Sequence, residues 1–118
     1  MSLLLVTSTE RLLAYLDAYA RKDLAAVGAM FSDDVTLRDW NLNVRGKAAV
    51  IAETAKNFSA AGSLAIEPLR VYADGDTVAA ELKITIDGHT DLRVVDVIAF
   101  DSDGRIGSIR AYLGRPDD

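Results

Sequence analysis

Two carboxylates occupy positions in this sequence where the surrounding pattern calls for hydrophobic side chains. The run Thr90 to Phe100 alternates apolar residues with a period of two, as a β-strand does. Leu92, Val94, Asp96, Ile98 and Phe100 therefore share one face, and Arg93, Val95, Val97, Ala99 and Asp101 share the other. A lone ionised carboxylate in an apolar row is too costly to persist, so Asp96 is either protonated or paired. The choice is between a structural carboxylate, tied to a backbone amide or an arginine, and an acid held for use in a site. Arg93 points to the other face of the strand; Arg110, whose strand can pair beside this one, is the second candidate partner. Val35 to Trp40 also reads as a short strand, with Val35, Leu37 and Asp39 on one face. Asp39 is thus a second carboxylate on an otherwise apolar row.

Other chemistry is sparse. His89 is the only histidine and falls in a hairpin loop, so neither a two-histidine metal site nor a catalytic triad is expected. Asp101-Ser-Asp-Gly104 shares part of the spacing of a calcium loop, but the twelve-residue ligand series is missing and a turn between strands explains it. Glycines occur singly, so no phosphate-cradling loop and no nucleotide cofactor are expected. Without cysteine there is neither a disulfide framework nor thiolate chemistry.

The elements that must position the two carboxylates follow from patterning. Thr7-Ser-Thr-Glu10 has capping-box spacing and should open a helix whose broad apolar face carries Leu12, Leu13, Tyr15, Leu16, Tyr19 and Ala20 and which closes at Arg21 and Lys22. Asp23 can cap a shorter helix, about Leu24 to Phe31, that Ser32-Asp-Asp34 ends as a turn. Asn41 to Arg45 reads as irregular, and Gly46 precedes a third helix, about Lys47 to Phe58. The period then changes to give strands at Leu64 to Ala73, Thr77 to Ile86, Thr90 to Phe100 and Arg105 to Leu113. Asp-Gly chemistry at Asp74-Gly-Asp76, Asp87-Gly-His89 and Ser102-Asp-Gly104 marks antiparallel hairpins. The expectation is an α+β chain, three helices and one short strand followed by a four-stranded meander, with a pocket between the layers.

Composition bounds the function classes. A length of 118 residues suits one domain, expected over residues 1–118, with 50% hydrophobic and 26% charged residues. The net charge of −5 and the absence of a basic stripe argue against nucleic acid. Leu3-Leu-Leu-Val6 is too short for a signal-peptide core and lacks a basic segment before it, and no apolar run approaches the ~18 residues of a membrane span. No membrane partner is expected, and the cytoplasm is the expected location.

The helix residues Tyr15 to Phe31, the phrase Phe31-Ser-Asp-Asp-Val-Thr-Leu-Arg-Asp39, the opening Gly46-Lys-Ala-Ala49 and the ending Ser108-Ile-Arg-Ala-Tyr-Leu-Gly114 resemble bacterial ketosteroid isomerase. The resemblance covers nearly the whole chain. It implies the cone-shaped NTF2-like fold, in a superfamily that includes SnoaL-type polyketide cyclases, with three N-terminal helices packed on a curved, mostly antiparallel sheet. It also implies three catalytic residues: Tyr15 and a neutral Asp96 as hydrogen-bond donors to an enolate oxygen, and Asp39 as the general base. The implied reaction moves the double bond of a β,γ-unsaturated ketone into conjugation, on a small hydrophobic ketone-like substrate and without metal or cofactor. Proton abstraction beside a ketone does need a base and donors for the enolate, which these residue types supply. Apolar neighbours and the charge of Asp39 are both expected to raise the Asp96 pKa.

Three features depart from the isomerase pattern. Trp40 stands where proline usually follows the base, the loop Asn41 to Arg45 is shorter, and Thr54 stands where a second tyrosine often supports the oxyanion network. Strand alternation points Trp40 away from Asp39, toward an edge or a subunit contact, and Tyr19 reads as core. The alternatives are a SnoaL-like cyclase or other small-molecule enzyme on the same scaffold, and a non-catalytic ligand-binding or dimerisation module. A homodimer is expected because Val95, Val97, Ala99, Ile109, Ala111 and Leu113 form second sheet faces too apolar for water.

Overall fold

The computed structural model describes residues 6–116; most of the short apolar run at residues 3–6 lies outside them. Helix α1 (Ser8–Ala20) begins at the expected capping box, in which the Thr7 hydroxyl accepts the Glu10 N–H and the Glu10 carboxylate accepts the Thr7 N–H, both at 3.0 Å. Asp23 caps α2 (Leu24–Ala29) by accepting the Ala26 N–H. Helix α3 (Lys47–Ala60) follows Gly46, whose φ of 97° is a conformation glycine adopts without steric cost, and the Gly46 N–H donates to the Val35 carbonyl at 2.7 Å.

Strand β1 spans Phe31–Arg38 and β2 spans Asn43–Arg45. The remaining strands are β3 (Leu64–Asp74), β4 (Thr77–Ile86), β5 (Thr90–Phe100) and β6 (Ile106–Leu113). All six form one curved, open sheet in the order β2-β1-β6-β5-β4-β3, antiparallel except where β1 runs parallel to β6. Three expectations are corrected here. The polar stretch Ser32 to Asp34 is part of β1 and not a turn: pairing with β6 absorbs it as an irregularity in register between Phe31 and Thr36. Asn43–Arg45 is not irregular but folds back on β1 as a short edge strand. The strand at the front also ends earlier, at Arg38, so Asp39 and Trp40 lie in the turn that follows.

Helix α1 packs against β3 and β4, and α3 packs against β1 and β2. The two helices thus cover the flanks of the concave face and leave the middle, β5 and β6, as the floor of a gap. Phe31, Leu12, Leu82, Ile98 and Ile106 are fully buried in the hydrophobic core. Register settles which faces point inward: Ile98 pairs with Ile109 and Asp96 with Ala111. Ile109 is accordingly 3% exposed, and both Ile109 and Ala111 face the interior. That removes them, and Leu113, which pairs with the inward Val94, from the outer apolar face expected to support a dimer, because alternation along β6 says which residues share a face but not which face is inside. Among the described residues, no helix is long and apolar enough to cross a membrane.

Candidate active site

The gap between helices and sheet is a cavity of about 280 Å³, walled by apolar side chains that include Leu16, Val50, Leu82, Ile84 and Val94. Tyr15 from α1, Asp39 from the turn after β1 and Asp96 from β5 all line it. These elements are distant in sequence, and the curved sheet brings them to one chamber.

Asp96 lies on the inner row of β5 with Ala80 of β4 on one side and Ala111 of β6 on the other. Two small neighbours leave room above the carboxyl and supply no charge to balance it. Arg110 pairs with Val97 and Arg93 with Lys83, so both arginines belong to the outer face and neither reaches Asp96. Burial alone pushes the Asp96 carboxyl up to about 7; Asp39 adds nothing to this, contrary to expectation. The carboxyl is thus held far above the ordinary range of an aspartate, in the direction expected from the sequence.

Tyr15 is 5% exposed and is held by ring contacts with Tyr19 at 5.7 Å and Phe31 at 6.4 Å. Burial, and then the neighbouring Tyr19 and Asp96, hold its phenol well above the usual tyrosine range, so it remains a donor. Among the described residues its hydroxyl has no hydrogen-bond partner, nor does the Asp96 carboxyl. Tyr15 and Asp96 both line the cavity and are not bonded to one another.

Asp39 is fixed differently. One carboxylate oxygen accepts the N–H groups of Asn41 at 2.7 Å and Leu42 at 3.0 Å, and the Asp39 N–H donates to the Leu42 carbonyl at 3.0 Å. This local turn locks the side chain through one oxygen and leaves the other without a protein partner among the described residues. It also explains Trp40, which lines the cavity although strand alternation directed it away. Once β1 has ended, alternation no longer applies, and the turn carries the indole to the cavity rim with 45% of its surface exposed.

Thr54 is buried in the wall and donates its hydroxyl to the Val50 carbonyl at 2.9 Å, so its proton is committed to its own helix. Tyr19 is more than core: it lines the cavity, and its hydroxyl accepts a hydrogen bond from the Asn57 amide at 3.0 Å. The signal for Tyr19 was present in its spacing, four residues after Tyr15 and so on the same helical face. Asn57 is likewise three residues after Thr54. His89 lies on the exposed β4–β5 turn, its Nδ1 3.1 Å from the Thr90 hydroxyl.

Residues 12–109 match the family model described as SnoaL-like domain. Over 109 residues the sequence is 38% identical to a steroid Delta-isomerase from Nocardioides simplex, covering 87% of this chain and 86% of that protein. The chain belongs to the SnoaL-like, ketosteroid-isomerase-like family. Among solved structures, this SnoaL-like domain is similar to the epoxide hydrolase/cyclase-like enzyme SalBIII of polyether salinomycin pyran-ring formation, with a TM-score of 0.80 and 26% identity over 93% of this chain and 92% of that one. It also matches an NTF2-like protein of unknown function from Cytophaga hutchinsonii, with a TM-score of 0.78 and 14% identity over 92% and 90% of the two chains, which shows the fold alone. The NTF2-like fold expected from the sequence is the fold observed.

Proposed function

We propose that this domain is an isomerase that moves the double bond of a β,γ-unsaturated ketone into conjugation, with a small hydrophobic ketone as substrate. Asp39 takes the proton from the carbon between carbonyl and alkene through its unpartnered oxygen. The electron pair moves onto the carbonyl oxygen, giving a dienolate to which the Tyr15 hydroxyl and the protonated Asp96 donate hydrogen bonds. Asp39 then returns the same proton to the γ-carbon, so the protein ends as it began and the product differs only in the position of its double bond. The enolate-stabilising pair follows the pattern of ketosteroid isomerase, in which a carboxylic acid is kept neutral by an apolar site.

The observation that carries this reading is that Tyr15, Asp39 and Asp96, from three separate elements, line one apolar cavity. Kinship with a steroid Delta-isomerase supports the steroid class of ketone. The test is turnover of a steroidal β,γ-unsaturated ketone, followed by the absorbance of the conjugated enone. Activity should fall as pH rises past about 7, because ionised Asp96 cannot donate.

A second reading is favoured by the likeness to an epoxide hydrolase/cyclase-like enzyme. A neutral Asp96 that protonates an epoxide oxygen, with Asp39 activating the attacking hydroxyl, would open the ring in the same cavity. Turnover of an apolar epoxide without turnover of the ketone would select it.

We also propose a homodimer formed through the outer sheet face. Val95, Val97 and Ala99 remain on that face beside the exposed rings of Tyr72 and Tyr112. Sedimentation at micromolar concentration should give twice the monomer mass, and a clean monomer would remove the idea.

A further inference from the structure

Tyr19 holds a hydrogen-bond donor for which the mechanism above has no use. A phenol has one proton to give and lone pairs to receive with. Its lone pair is engaged by the Asn57 amide at 3.0 Å, and among the described residues its own O–H has no acceptor. The ring is fixed on two sides, edge-on to Phe58 at 4.8 Å and tilted against Tyr15 at 5.7 Å. Burial and the nearby Asp96 and Asp39 carboxyls hold the phenol in its protonated form. Thr54, the other hydroxyl of this wall, has already given its proton to Val50. An oriented donor on the wall of a mostly apolar cavity is a device for recognising an oxygen on a ligand.

We propose that Tyr19, held by Asn57, is a specificity-determining residue: it donates a hydrogen bond to a second oxygen function of the substrate, distinct from the reacting carbonyl. The proposal rests on the isomerase reading for which oxygen is the first, the one met by Tyr15 and Asp96. It assigns the substrate class more narrowly, to ketones that carry a further carbonyl, hydroxyl or ether oxygen. Spacing limits where that oxygen lies. Tyr15 and Tyr19 are one helical turn apart with ring centres separated by 5.7 Å, so the second oxygen lies on the part of the ligand next to the reacting carbonyl and not at its far end. Sites that hydrogen-bond a ligand oxygen discriminate against the analogue lacking it, because their own polar group is then left unpaired.

The test uses two flat phenols that differ at one point: β-naphthol, and its analogue with a second hydroxyl on the adjoining ring. Isothermal titration calorimetry gives the affinity of each for the full chain. The two-oxygen ligand should bind the wild type about five- to tenfold more tightly than β-naphthol, the yield of one net hydrogen bond. In Tyr19→Phe that preference should vanish. Asn57→Ala, at an exposed position that folding tolerates, should reduce it partway by releasing the ring. An unchanged preference in Tyr19→Phe, or an equal loss of affinity for both ligands, would overturn the assignment and leave Tyr19 a packing residue. Failure of the isomerase reading shows separately, as absence of ketone turnover by the wild type, and does not affect the affinity ratio.

Discussion

Replacing Asp96 by asparagine should make the protein's stability less dependent on pH, in a direction fixed by the site. In the native state the Asp96 carboxyl is raised by burial from 3.8 to about 7. Between those values the native protein holds a proton at Asp96 that the unfolded chain has released. Stability from this group is therefore fully present below about 3.8 and is lost as pH rises through about 7. The slope in that window is about 1.4 kcal/mol per pH unit. Over the roughly three pH units between the two values, the loss reaches up to about 4 kcal/mol. Water entering the cavity would reduce this figure, since Asp96 keeps some accessible surface there. Asparagine carries no charge at any of these pH values. Urea unfolding of both proteins from pH 4 to pH 8 at constant ionic strength isolates the effect, because every other titrating group cancels in the difference. The stability of Asp96→Asn relative to wild type should rise by up to about 4 kcal/mol, a shift of roughly 2 M in the urea midpoint for a domain of this size. A difference that stays flat across the range would mean that Asp96 ionises as readily folded as unfolded, and the acid proposed to hold the enolate would not exist.

Tyr15→Phe should keep the fold and lower kcat by roughly a hundredfold to a thousandfold, the usual effect of losing one donor to a developing oxyanion; an unchanged rate would exclude Tyr15 from that role. Trp40 is the only tryptophan and lines the cavity, so ligand binding should alter the intrinsic fluorescence, and Trp40→Ala should weaken fused-ring ligands more than single-ring ones. Equal weakening of both would show that the indole does not contact the ligand body. The Asp87 carboxylate accepts the Gly62 and Ser63 N–H groups, clasping the β4–β5 turn to the end of α3, and those two bonds lower its pKa. Asp87→Ala should therefore lower the melting temperature at pH 7 and make less difference as pH falls below the ordinary carboxylate range; a pH-independent loss would point to packing instead.

The parts of the fold governed by local chemistry were legible in the sequence. Thr77–Ile86 and Thr90–Phe100 fall where alternation and the flanking Asp-Gly turns put them, and the α1 cap is the one Thr7 and Glu10 specify. What was not legible depends on pairing between distant segments. Ser32, Asp33 and Asp34 have turn-forming side chains, yet parallel pairing with β6 draws them into β1, and that partner lies some seventy residues later in the chain. The inward direction of Ile109 and Ala111 needed the register of β6 on β5. Within the site, Asp96 and Asp39 were visible as carboxylates in apolar rows, and Tyr15 through family likeness. Trp40 departs from strand alternation because β1 ends two residues before it, at Arg38, where the Asp39 turn takes over.

The proton transfer assigned to Asp39 is tested most directly by Asp39→Asn, assayed by appearance of the conjugated enone from a steroidal β,γ-unsaturated ketone. The amide retains the shape of the carboxylate but cannot accept the proton. Turnover should fall at least a hundredfold while the affinity for β-naphthol, an enolate-like ligand, stays within a few-fold of wild type. Wild-type turnover of the ketone that survives Asp39→Asn undiminished would contradict the account.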